Sequence, residues 1–149
     1  MEESVMTDWI QNKIQFSRAQ IKKINETPAL KRVVADLCNL KWMHKRGFRA
    51  DDTFGFEKKN GSLAIYADTK WDPPIDFFES LAKKGLEFRV LYCDIYNFTV
   101  VGAWYSDGLR IHIECKPSEI AKNISLFVQK VPRELRIAFD FEGHILNSA

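Results

Sequence analysis

From Trp9 to Phe16 apolar and polar residues alternate, with Ile10, Ile14 and Phe16 on one side and Gln11, Lys13 and Gln15 on the other. That period of two predicts a strand with one buried face, interrupted on its apolar side by Asn12. Ser17 is placed to cap a short helix carrying Ile21 and Ile24, and Thr27 before Pro28 is a start signal for a second. The stripe of Leu30, Val33, Val34, Leu37, Leu40 and Met43 fits a 3.6-residue period. It predicts one amphipathic helix lying on a sheet and closed by Gly47. Thr53 to Glu57 and Leu63 to Ala67 then read as strands around Asn60-Gly61, a pair that favours the positive φ of a tight hairpin. Next, Asp72 as N-cap and Pro73 at the first helical position predict a helix with Ile75, Phe78, Leu81 and Ala82 inward, ended by Gly85.

Strand patterns follow over Glu87 to Ile95 and Phe98 to Tyr105, joined at Tyr96-Asn97, and Asp107-Gly108 turns the chain into a third over Leu109 to Cys115. Pro117-Ser118 opens a helix with Ile120, Ile124, Phe127 and Val128 inward. Leu135 to Phe141 alternates as a strand, although Pro132 with Glu134 and Leu135 also suits a short helix; the strand is the favoured reading. Strand, helix, two hairpinned strands, helix and strand is the order of a ferredoxin-like split βαβ arrangement, an α+β fold with an antiparallel sheet and helices on one face. The added C-terminal meander and helix complete a single domain over residues 1–149, with the ferredoxin-like part at 6–108 and an extension at 109–149.

A chain of 149 residues with 46% hydrophobic and 13% aromatic content is large and apolar enough to hold a core without metal or disulfides. No apolar run approaches the roughly 18 residues of a membrane span, and residues 1–20 lack the pattern of a secretory signal. The expectation is a soluble protein of the cytoplasm with no membrane partner. Cys38, Cys93 and Cys115 are too widely spaced for a zinc or redox motif, and His44, His112 and His144 share no ligand spacing, so neither metal nor cofactor is expected. The net charge of +2 is unevenly divided. Residues 1–50 hold 10 basic against 5 acidic residues, and residues 51–149 hold 12 against 15.

The basic end sharpens at Lys41, Trp42, Lys45, Arg46 and Arg49. Cations interleaved with aromatics suit the phosphates and bases of a nucleic-acid strand. The same residues also suit the end of a helix, where cations complement the macrodipole and face water. Phe54 and Phe56 echo the aromatic strand of RNA-binding sheets, without the preceding basic residue, because Asp52-Thr53 stands there. Trp71, beside Pro73 and Pro74, suits either an aromatic floor for a ligand or a staple under the helix start. Asp51-Asp52 reads as a solvated loop pair. Asp94, His112 and Glu114 meet across the meander only if their face is shared, and no catalytic residues are assigned.

Two stretches resemble the YubB-like ferredoxin-like proteins of plasmids, phages and prophages. Met6-Thr7-Asp8-Trp9-Ile10-Gln11-Asn12-Lys13-Ile14 is similar to the start of their first strand. Thr69-Lys70-Trp71-Asp72-Pro73-Pro74, with Phe88 to Tyr92 and Phe98-Thr99-Val100-Val101-Gly102, is similar to their tryptophan and double-proline block. The likeness covers residues 6 to about 108; Ser17-Arg18 and Tyr96-Asn97-Phe98 depart from the family's turns. It implies the fold and a mobile-element setting, and no catalytic residues. The resulting expectation is a non-enzymatic interaction protein of a phage or plasmid, acting on a host protein or defence complex. The alternative is a domain that binds single-stranded nucleic acid through the basic and aromatic patch.

Overall fold

The structure, a computed structural model, describes residues 9–94, 100–114 and 131–139. The alternation at the start of the chain becomes β1 (Trp9–Phe16), in which every second residue is buried. Helix α1 (Arg18–Asn25) begins on a reciprocal cap. The Ser17 hydroxyl accepts from the Gln20 amide at 3.2 Å, and the Gln20 side chain accepts from the Ser17 amide at 2.8 Å.

The single helix expected from Leu30 to Met43 is in fact two, α2 (Pro28–Leu37) and α3 (Leu40–His44). The chain leaves helical geometry after Leu37, and Asn39 caps the new helix by accepting the Trp42 amide at 2.9 Å. This break turns Leu40 outward and drops Met43 into the core. The hairpin of β2 (Gly55–Lys59) and β3 (Ser62–Lys70) turns on Asn60 and Gly61, with φ of 53° and 85°. Helix α4 (Ile75–Lys83) starts after Pro74, so Asp72 does not serve as the expected N-cap.

β4 (Arg89–Cys93), β5 (Val100–Tyr105) and β6 (Arg110–Glu114) form the meander. The Tyr96-Asn97 connection and the helix expected after Pro117-Ser118 lie outside the described residues. The strand favoured over Leu135–Phe141 is corrected: α5 (Arg133–Ala138) forms there, with Pro132 at its start and Glu134 in its first turn. Leu135, Ala138 and Phe139 then fall on one helical stripe and pack against the sheet, a burial that alternation along a strand would have divided between two faces.

All six strands join one antiparallel sheet in the order β2-β3-β1-β4-β5-β6. On one face, α1 to α4 bury Ile24, Leu37, Met43, Phe78 and Leu81 against Ile14, Phe16, Ile65, Val90 and Trp104. The Trp104 ring centroid lies 5.9 Å from that of Phe78 and 5.6 Å from that of Phe88. On the other face, α5 packs on Leu91, Cys93, Val101 and Ala103, a cluster that draws nothing from β1, β2 or β3.

Candidate functional site

The basic stretch does not stay together. Arg46 folds back on its own helix, its guanidinium 3.4 Å from the Trp42 ring centroid and its Nη1 donating to the Trp42 carbonyl at 2.9 Å. Trp42 itself packs toward Phe77 at 6.1 Å, while Lys41 and Lys45 face water. Arg49 leaves this group. Its backbone amide donates to the Asp68 carbonyl at 2.9 Å, its side chain pairs with Asp51, and its guanidinium lies 4.7 Å from the Trp9 ring centroid.

The expected aromatic surface also divides. Phe54 packs against the first core cluster, and Phe56 sits 51% exposed on edge strand β2. Trp71 neither packs away as a staple nor joins them; it is 49% exposed. Its backbone has φ of +74°, and the Asp72 amide donates to the Lys70 carbonyl at 2.9 Å, closing a three-residue turn of the strained left-handed kind. Buried polar groups hold this turn. Asn12 Nδ2 donates to Thr69 Oγ1 at 3.0 Å and to the Ala67 carbonyl at 3.0 Å, and Thr69 Oγ1 donates to the Asp72 carbonyl at 2.8 Å. Asn12, which interrupts the apolar face of β1, is therefore the anchor of the turn.

On the opposite face of β3, Asp68 is only 3% exposed and its Oδ1 has no hydrogen-bond partner. Burial pushes its carboxyl up to about 6, against the Thr53 hydroxyl and the Arg49 guanidinium, with Asp51 adding to the rise. Asp51 goes the other way. Its Oδ1 accepts from the Thr53 hydroxyl at 2.6 Å and amide at 2.9 Å, which holds it below the usual carboxylate range with help from Arg49. Asp51 is thus a turn-organising carboxylate and not the purely solvated one expected.

The meander does bring His112 and Glu114 together, with Nε2 and Oε2 3.3 Å apart. Two residues missed in the sequence complete the cluster: Arg110 Nε donates to the Tyr92 hydroxyl at 3.1 Å, and that hydroxyl lies 2.6 Å from His112 Nδ1. With the imidazole proton on Nε2, Nδ1 accepts from Tyr92 and Nε2 faces the Glu114 carboxylate. The register carries the signal for this cluster, because Tyr92, Gly102 and His112 lie on one rung and only a glycine between them leaves room for the phenol. Burial raises the Tyr92 hydroxyl above its ordinary range, and Arg110 opposes the rise.

A groove of about 640 Å³ opens where β1, β3, β4 and β5 end, lined by Ser17, Gln20, Glu87, Arg89, Ser106 and Asp107. Its charged groups are engaged: Glu87 pairs with Lys23 at 3.1 Å, and Arg89 bonds Gln15 at 2.6 Å and Glu134 at 2.7 Å. Among the described residues no three His, Cys, Asp or Glu side chains gather to hold a metal, and no helix is long and apolar enough to cross a membrane. Cys93 is buried and its thiol is held well above the ordinary range; Cys38 is half-buried and also raised by burial. No protein-family model, curated protein or solved structure matches the chain.

Proposed function

We propose that the chain is a non-enzymatic binding protein on a ferredoxin-like scaffold, encoded by a phage or plasmid, that engages a host protein in the host cytoplasm through Trp71. The scaffold reading is supported by the order β2-β3-β1-β4, with α1 to α3 between β1 and β2, and α4 between β3 and β4. The mobile-element setting and the host target rest on the resemblance of the Trp9 and Trp71 stretches.

The observation that carries the binding reading is the Trp71 turn. A left-handed backbone at a bulky residue costs on the order of 1–3 kcal/mol and persists only where its surroundings impose it. Here the hydrogen bonds running from buried Asn12 through buried Thr69 to the Asp72 carbonyl impose it and leave the indole half exposed. Tryptophan is enriched among the residues that dominate binding energy at protein interfaces.

The test compares the immobilised protein with its Trp71→Ala variant in a lysate of the bacterial host. The expected result is a stoichiometric protein partner retained by the wild type and lost by the variant, at equal melting temperature. Retention of the same partner by both, or of none by the wild type, overturns the reading.

A further inference from the structure

The described residues hold five pairs of a cation over an aromatic ring, where one or two are usual for about 110 residues. Three of the five converge on the central strands β1 and β3. Lys13 Nζ lies 5.5 Å from the Tyr66 ring, the Arg49 guanidinium 4.7 Å from the Trp9 ring, and Lys70 Nζ 5.7 Å from the Trp71 ring. The register interlocks them, because Trp9 stands opposite Lys70 and Lys13 opposite Tyr66. Strand alternation puts Trp9, Lys13, Tyr66 and Lys70 on the face away from α1 to α4, in the half of the sheet from which the α5 cluster draws no residue.

We propose that this half of the sheet binds single-stranded nucleic acid, with Trp9 and Tyr66 stacking on bases and Lys13 and Lys70 meeting phosphates. Charge complementarity argues for this occupant. Neither Lys13 nor Lys70 is paired with a carboxylate among the described residues. Of the acids near them, Asp51 holds Arg49, Asp68 is withdrawn from the surface by burial, and Glu57 lies 3.5 Å from the Tyr66 hydroxyl. A polyanion with exposed bases supplies a counter-charge and a π-face at each step, which is what alternating ammonium and ring groups accept. Tyr66 stands opposite Lys13, four residues from Trp9 along β1, so the two rings sit on rungs about 13 Å apart along the strands. Duplex nucleic acid keeps its bases stacked inside and offers such platforms nothing but its backbone.

This activity goes beyond the protein contact proposed for Trp71 and centres on Trp9, Lys13 and Tyr66, meeting that contact only at Lys70, whose ammonium lies over the Trp71 ring. It is also distinct from the Lys41 to Arg46 patch, which lies on and just beyond α3. The test is fluorescence anisotropy of the full chain with a labelled oligothymidylate, a single-stranded RNA of mixed sequence, and the DNA duplex as control. Both single strands are expected to bind, more tightly than the duplex. With two phosphates neutralised, affinity should fall roughly sevenfold between about 50 and about 200 mM salt. Tyr66→Ala should weaken binding about fivefold or more, Tyr66→Phe should retain it, and Lys13→Glu with Lys70→Glu should abolish it. Tyr66→Ala, Tyr66→Phe and Lys13→Glu touch neither Trp71 nor the Lys70 ammonium over its ring, so they leave capture of the protein partner unaffected and the two readings fail separately. No binding by the wild type, tighter binding of the duplex, or loss confined to Lys41→Glu with Lys45→Glu overturns the proposal.

Discussion

Gly102 is set by its partner on the adjacent strand, ten residues earlier in the sequence. Tyr92 crosses over it to reach the Ile111 carbonyl and the His112 ring on β6, and a Cβ at Gly102 would overlap both the phenol and that carbonyl. Neither obstacle is a flexible chain end: one is backbone and the other a ring with no exposed surface. Gly102→Ala is therefore expected to destabilise the fold by about 2–4 kcal/mol, at the upper end of overpacking effects, because the cross-sheet hydrogen bonds break as well. Urea denaturation should show the lowered midpoint at unchanged slope. A Tyr92→Phe, Gly102→Ala double variant with the same loss as Gly102→Ala alone would localise the effect to the β5–β6 backbone, and partial recovery would assign it to the hydroxyl. Nothing in the residue pattern around Gly102 announces this role, since pairing register between β4, β5 and β6 decides it.

At the scale of elements, short-range chemistry was legible and long-range polar chemistry was not. The alternation of β1, the Ser17 cap, the Asn60-Gly61 turn and the α2 start each depend on residues a few positions apart, and each forms where the pattern places it. The division of α2 from α3 was hidden because the apolar stripe continues across Cys38 and Asn39, while the cap that breaks it is a single side chain. Asp72 misled for a related reason. It carries the residue type of an N-cap, but its backbone is claimed by the Trp71 turn, whose anchor Asn12 is 57 residues from Thr69. The basic patch was legible as composition, yet Arg49 answers to Asp51 and Trp9 and not to its sequence neighbours. Thr69→Val keeps the side-chain shape of this anchor and removes the hydroxyl that joins Asn12 to Asp72. It is expected to cost about 1–3 kcal/mol and to release Trp71 from its left-handed backbone. A melting experiment checks the first effect, and a shift of the Trp71 indole resonance in NMR checks the second; an unmoved resonance would mean the turn is held by its proline neighbours instead.

For the molecule as a whole, the two carboxylates at the Trp9 corner give stability an unusual pH dependence. Asp68 has a folded value of about 6 against 3.8 for the free side chain, so between those values the folded state holds a proton that the unfolded state has lost. Stability from this group is therefore fully present below about pH 4 and is lost as pH rises through 6. Asp51 acts oppositely, since its lowered value adds stability above 3.8 that is lost only as pH falls below it, outside the Asp68 window. The Asp68 contribution should then decline by about 2–3 kcal/mol between roughly pH 4 and pH 7, read from denaturation as the difference between the wild type and Asp68→Asn. Most small proteins gain over that interval, as their paired carboxylates ionise. Asp68→Asn keeps the shape and removes the titration, so its stability relative to the wild type should rise across the window and exceed it at pH 7 and above. A wild-type curve that rises in parallel with that of the variant would show that the unpartnered Asp68 oxygen meets a cation or solvent at neutral pH and carries no burial penalty.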